Sequence, residues 1–191
     1  LAGTYWPIPG ESRSKCRNSI ESKFFKSRLS PELKSNASLS DKRRKAFAET
    51  KLKLSPLAKL VIQANGQLPV LESNLDSSRY QKALAHYGAS PPDLNRTIST
   101  LLIVIEVGFS ADSCNLIGRC IEESGHDPVL AEPFYQQAVN LNQEHPYAGA
   151  NLAASLFNCG EKKLASQVAK EARLNPKLSD WGKNRLTELG L

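Results

Sequence analysis

The series Cys114, Ile117, Gly118, Ile121, Gly125 returns in this chain as Gly149, Leu152, Ala153, Leu156, Gly160, at an offset of 35 residues throughout. A second series, Ala131, Tyr135, Ala138, returns as Ala165, Ala169, Ala172 at an offset of 34, and the His126-Asp127-Pro128 turn accounts for the residue between the two offsets. Apolar and small residues spaced three and four apart, closed by a glycine and then resumed, spell a helix, a turn and a second helix. Such a unit cannot bury its apolar face alone and must stack on its neighbour. The period therefore calls for an all-α chain of stacked helical hairpins. Two copies fall short of the roughly three that a stable stack needs. Helices between Ser55 and Val107 are expected to extend it upstream, and a last helix over 178–189 to cap it.

The flanking sequence divides the rest. Residues 1–54 form a basic arm, 55–110 a helical region, 111–176 the two repeats and 177–191 the cap. In the arm, Trp6-Pro7-Ile8-Pro9-Gly10 forbids a helix and favours an extended segment. Short helices are expected over 16–29 and from Ser30-Pro31 onward, then a loop over Ser38–Asp41, then a basic helix reaching about Leu52. Ser55-Pro56 opens a helix that Asn65-Gly66 stops. A short segment over 68–75 follows, then a helix from Ser77-Ser78 to Gly88. Asp93 to Val107 carries a stripe of Ile98, Leu101, Leu102 and Ile105. Tyr80, Leu84 and Gly88 share the internal spacing of the repeats, so this pair reads as a degenerate third copy. In the last helix Trp181, Leu186 and Leu189 are expected on the apolar side.

Charge is split along the chain. Residues 1–59 hold 14 Lys and Arg against 5 Asp and Glu, a balance of +9, while residues 60–191 hold 11 against 14, a balance of −3. The strongest basic patch is Lys42, Arg43, Arg44 and Lys45, which could meet phosphates, an acidic protein or only solvent. The arm is also basic, Ser-rich and poor in acid, so organelle targeting stays open. The longest apolar run, Leu101 to Ile105, is far short of the roughly 20 residues of a membrane span. Four cysteines without C-x-x-C spacing read as small buried thiols of a reducing, intracellular compartment. The absence of any Met leads one to expect a processed form or a piece of a longer protein.

The two copies resemble tetratricopeptide repeats (TPR), whose pattern runs through an aromatic, Leu-Gly, an aromatic, a turn Gly, Ala, an aromatic, Ala and Pro. Here the first copy supplies Ile117-Gly118, Ile121, Gly125, Ala131, Tyr135 and Ala138. The second supplies Leu152-Ala153, Leu156, Gly160, Ala165, Ala169, Ala172 and Pro176. The leading aromatic is replaced by Cys114 and Gly149, and Gln143 stands where the first copy should close with Pro. The resemblance covers about 65 residues and implies a right-handed helical-hairpin solenoid carrying a basic, largely irregular N-terminal arm. It also implies a partner-binding groove lined by the first helix of each hairpin. That groove would show Asp112, Asn115, Arg119, Glu122 and Glu123 in the first copy, and Tyr147, Asn151, Phe157 and Asn158, with Ala150 and Ala154, in the second. The family's clamp for a terminal carboxylate needs more Lys and Asn than Arg119 and Asn151 supply.

No catalytic constellation accompanies this pattern. The chain has no G-x-G-x-x-G, P-loop, H-E-x-x-H or G-x-S-x-G motif, and no metal or cofactor site is expected. His86, His126 and His145 fall at helix ends, where a solvated cap is the ordinary role. Glu122 and Glu123 are adjacent on a helix and do not share a face. The expected function is therefore binding: an interaction module or assembly subunit that takes a protein segment in its groove, with the arm touching a second partner. The alternatives are a nucleic-acid-associated subunit that uses the arm, and the repeat portion of a larger enzyme.

Overall fold

The computed structural model describes residues 37–50, 54–64, 66 and 77–191. The chain divides into two units, Leu1–Ser40 and Asp41–Leu191, and the second is described over most of its length. The expected proline-aromatic strap, the two short helices before residue 36 and the 68–75 segment lie outside the described residues. Every regular element among the described residues is helical: α1 Ala37–Glu49, α2 Pro56–Gln63, α3 Ser77–Tyr87, α4 Leu94–Val107, α5 Ala111–Glu123, a 3₁₀ turn Pro128–Leu130, α6 Glu132–Leu141, α7 Ala148–Asn158, α8 Lys162–Arg173 and α9 Asp180–Glu188.

The boundaries fall where local chemistry puts them. Ser55 Oγ accepts the Ala58 amide at 3.2 Å ahead of Pro56, Asp93 accepts the Arg96 amide at 3.0 Å, Ser110 the Ser113 amide at 3.0 Å and Ser179 the Gly182 amide at 3.1 Å. Each satisfies one of the amides that a helix start leaves without a partner. Gly125 and Gly160 end α5 and α7 in the left-handed region, at φ of 73° and 86°, which costs glycine nothing. Two expectations are corrected here. Ser38–Asp41 is not a loop but the start of α1, because Ser and Asp suit a first helical turn as well as a turn between helices. The helix then ends at Glu49, short of Leu52.

Consecutive helices pack on one another. α3 pairs with α4, α5 with α6 and α7 with α8, each pair joined by a short turn. α4 also packs on α5 and α6 on α7, while α5 touches α7 and α7 touches α9. α2 lies against α4 and α6. The core runs through Leu101, Ile105, Ile117, Ile121, Leu130, Phe134, Tyr135, Leu152 and Leu156, all fully buried. Each contributes about 1.5–3 kcal/mol relative to exposure. Small residues set the closest approaches. A Cβ on Gly118 would stand 2.6 Å from the Tyr135 ring, and one on Gly149 would stand 2.9 Å from Ala172 Cβ. At Gly66 a Cβ would collide with the Pro133 carbonyl, and Asn140 Nδ2 donates to the Gly66 carbonyl at 2.7 Å. This fixes the end of α2 on α6.

Ion pairing helps to hold α1. Among its residues whose burial is described, Arg43 and Ala46 are buried. The Arg43 guanidinium donates to the Glu132 carboxylate on α6, and both side chains are almost fully enclosed. Lys42 Nζ donates to the Cys159 carbonyl at the end of α7, at 2.9 Å, where a helix terminus favours a cation.

Candidate functional site

One face gathers side chains from the first helix of each hairpin and from α9. Arg119, in the third turn of α5, has its guanidinium 5.1 Å from the Tyr87 ring of α3 and 5.5 Å from the Trp181 ring of α9. Its Nη2 donates to Glu123 Oε1 at 2.8 Å, one turn further along α5. The same carboxylate oxygen accepts the Tyr87 hydroxyl at 2.6 Å. Burial first, and then this bond, push the Tyr87 hydroxyl well above its ordinary range. Trp181 lies edge-on to Tyr147, the residue that precedes α7, with centroids 5.9 Å apart, and carries the Arg185 guanidinium at 5.2 Å. Arg185 reaches back across α7 to Glu122 Oε2 at 3.1 Å, and the Tyr135 hydroxyl donates to the same oxygen at 2.9 Å. Removal from water pushes the Glu122 carboxyl up, against the pull of Arg185 and the Tyr135 bond.

The reach across α7 is possible because its outward residues are small. A Cβ on Gly182 would lie 3.4 Å from Ala150 Cβ, so α9 lies close against α7 and its longer side chains pass on to α5. Trp181, expected on the apolar side of the last helix, is instead 40% exposed, while Leu186 is fully buried. Two guanidinia stand over the indole ring, each contact stabilising by about 0.5–1 kcal/mol at a partly exposed site.

The nine groove residues expected from the sequence are thus sorted by burial. Asp112, Glu123, Tyr147 and Asn158 are exposed, and Arg119 and Phe157 half-exposed. Lys162 Nζ stands 5.6 Å from the Phe157 ring. Asn115 and Asn151 are buried and bonded to each other, Asn151 Nδ2 to Asn115 Oδ1 at 2.8 Å, so they join α5 to α7. Glu122 is mostly covered by α9 and α6. Of the basic patch, Lys42 and Arg43 are committed within the fold, and Arg44, paired with Asp41, and Lys45 face solvent.

His145 departs most from its expected solvated position. It is buried, and its Nδ1 accepts the Tyr147 and Ala148 amides at 3.2 and 3.1 Å at the start of α7. A ring nitrogen that accepts two amides carries no proton, so the proton sits on Nε2 and is donated to Asp112 Oδ1 at 3.1 Å. That bond is the main reason the Asp112 carboxyl is held below its ordinary range. The two amides are local, but no sequence signal tied this histidine to Asp112, which stands 33 residues away at the start of α5. Trp181, Arg185 and Tyr87 also escaped the sequence reading of the groove. The spacing of Trp181 and Arg185, one helical turn apart, was the one available hint.

Among the described residues no three His, Cys, Asp or Glu side chains come together as metal ligands, and no helix is long and apolar enough to cross a membrane. Cys114 and Cys120 are buried free thiols, and Cys159 is free and partly buried. An open cleft lies beside the 91–95 turn, lined by Pro91, Pro92, Asp93, Ser124 and His126. Its carboxylate already caps α4. The fold and the face together define an all-helical protein of packed hairpins with an aromatic–arginine surface. No protein-family model, no curated protein and no solved structure matches the chain.

Proposed function

We propose that the chain is an interaction module of TPR-like hairpins, stacked as a short solenoid, that binds a segment of a protein partner on the face shared by α3, α5, α7 and α9. One observation carries this reading: Tyr87, Arg119, Tyr147, Trp181 and Arg185 converge there, with Tyr147 and Trp181 41% and 40% exposed. Tyr, Trp and Arg dominate the hot spots of protein interfaces. The order of packing supports the solenoid, since the second helix of one hairpin packs on the first helix of the next, α4 on α5 and α6 on α7, and α5 also touches α7. In this reading Tyr147, Arg119, Glu123 and Asp112 make the contacts, with Phe157 and Asn158 at the far end of α7. Asn115, Asn151 and Glu122 hold the face in shape. The arm makes a second contact through Arg44 and Lys45, since Lys42 and Arg43 are engaged internally.

The test is selection of linear peptides on the immobilised chain, followed by titration of the selected peptides on variants. Tyr147→Ala and Glu123→Ala should each weaken binding about tenfold, the equivalent of about 1.4 kcal/mol, with the melting temperature nearly unchanged. Selected peptides that bind both variants as tightly as the parent chain would overturn the assignment of this face.

A further inference from the structure

Among the described residues Arg185 Nε, on the side of α9 that reaches α5, is buried without a hydrogen-bond partner. Buried polar atoms are nearly always paired in a settled core, so α9 meets α5 through a polar contact that is incompletely paired. The apolar hold of α9 is also slight. Of its nine residues only Gly182 and Leu186 are buried, and with Leu178 they rest on the alanines of α7 and α8. Trp181 and Arg185 occupy the aromatic and acidic positions of the face described above, as a bound segment would.

We propose that α9 is a self-ligand, a displaceable strap that fills the binding face until a partner helix of like chemistry replaces it. The proposal rests on the reading that this face binds a protein segment, and it names the segment's chemistry. With α9 lifted, α5 presents Asp112, Arg119 and Glu123 along one strip with Glu122 beside it, three carboxylates against the single cation Arg119, between Tyr87 and Tyr147. Charge complementarity selects a helix that carries a cation. The aromatic walls select a ring placed one turn before it, which is the arrangement of Trp181 and Arg185. The connection over 174–179, which contains Pro176, lies between the last buried residue of α8, Ala172, and Leu178, so the strap can leave without unravelling α8.

The probe is a labelled peptide of residues 177–191, titrated by fluorescence anisotropy into the full chain and into its Trp181→Ala/Arg185→Ala variant. A tethered segment competes at an effective concentration in the millimolar range. The variant should therefore bind the probe at least tenfold more tightly than the parent chain. A probe with its own Trp and Arg replaced by Ala should bind neither. Equal affinity for both chains, or no binding to the variant, overturns the proposal. So does loss of cooperative melting in the variant, because a strap is removable and a core helix is not. Hydrogen exchange on the unaltered chain provides a second measurement. The amides of α9 should exchange faster than those of α7, and α7 and α9 opening only together would refute the strap. If library peptides bind both chains equally well while the probe binds neither, the strap fails and the binding face stands. If no peptide of any kind binds either chain, both fall.

Discussion

Gly118 tests the packing of the first hairpin more sharply than any other position, because two known effects of Gly118→Ala oppose each other there. Alanine is the better helix former by about 0.8–1 kcal/mol. Its Cβ, however, would stand 2.6 Å from Tyr135 Cε1 and 2.8 Å from Cδ1 and Cζ, so the ring must retreat by about 1 Å to reach the normal contact distance of about 3.5–4.0 Å. Tyr135 is fully buried and its hydroxyl is fixed on Glu122, so retreat means distortion of the core. Overpacking of this kind costs about 1–3 kcal/mol. The net loss is up to about 2 kcal/mol, a fall in melting temperature of up to about 8 °C at the 2–4 °C per kcal/mol of a unit this size. Thermal melts followed by circular dichroism read this directly. A double-mutant cycle with Tyr135→Leu separates the terms, since removing the ring should leave only the helix-propensity gain. A higher melting temperature for Gly118→Ala, or the same cost in both backgrounds, would refute the close approach.

Three further outcomes follow from the structure. Arg43→Met leaves the Glu132 carboxylate buried without its cation and should cost about 3–5 kcal/mol in urea titrations, while Arg43→Met with Glu132→Leu should cost far less; equal losses would show that the pairing adds nothing. Asp112 is held low by its bond from His145, so its contribution is present above the ordinary carboxylate pKa and is lost as the pH falls through the lowered folded value. Asp112→Asn should therefore flatten the acid limb of melting temperature against pH, and an unchanged limb would sink the assignment. Burial pushes the Cys114 thiol up, and pushes those of Cys120 and Cys159 up to about 12, and since the thiolate is the nucleophile, iodoacetamide at neutral pH should modify these three only in denaturant; prompt native labelling of Cys114 would contradict its enclosure.

Those parts of the fold that depend on neighbours in sequence were readable in advance. Ser55-Pro56, Ser110, Gly125 and Gly160 mark boundaries by local hydrogen bonding and backbone conformation. Gly118 and Ala153 declared close packing through the period itself. Contacts between residues far apart were not readable. Arg43 looks like one of four solvated cations until Glu132, 89 residues on, encloses it. His145 looks like a solvated turn residue until Asp112 and two amides surround it. The candidate site shows the same divide. The resemblance put Asp112, Arg119, Glu123 and Tyr147 in one groove, but it could not show that α9 crosses α7 and covers Glu122. That crossing depends on Gly182 and Ala150 being small at the same point on two helices.

The 145–147 turn ends several connections at one place. The His145 ring joins the start of α5 to the start of α7, the His145 carbonyl accepts Asn175 Nδ2 at 3.2 Å, and the Pro146 carbonyl accepts the Ser179 amide at 3.1 Å. Tension applied at Leu191 would lift α9 first, then pass through Ser179 and Asn175 into this single turn and divide between two hairpins. A stack pulled in that way resists in parallel, and its extension trace should show a small early release followed by one large rupture in place of a staircase of hairpin-sized steps.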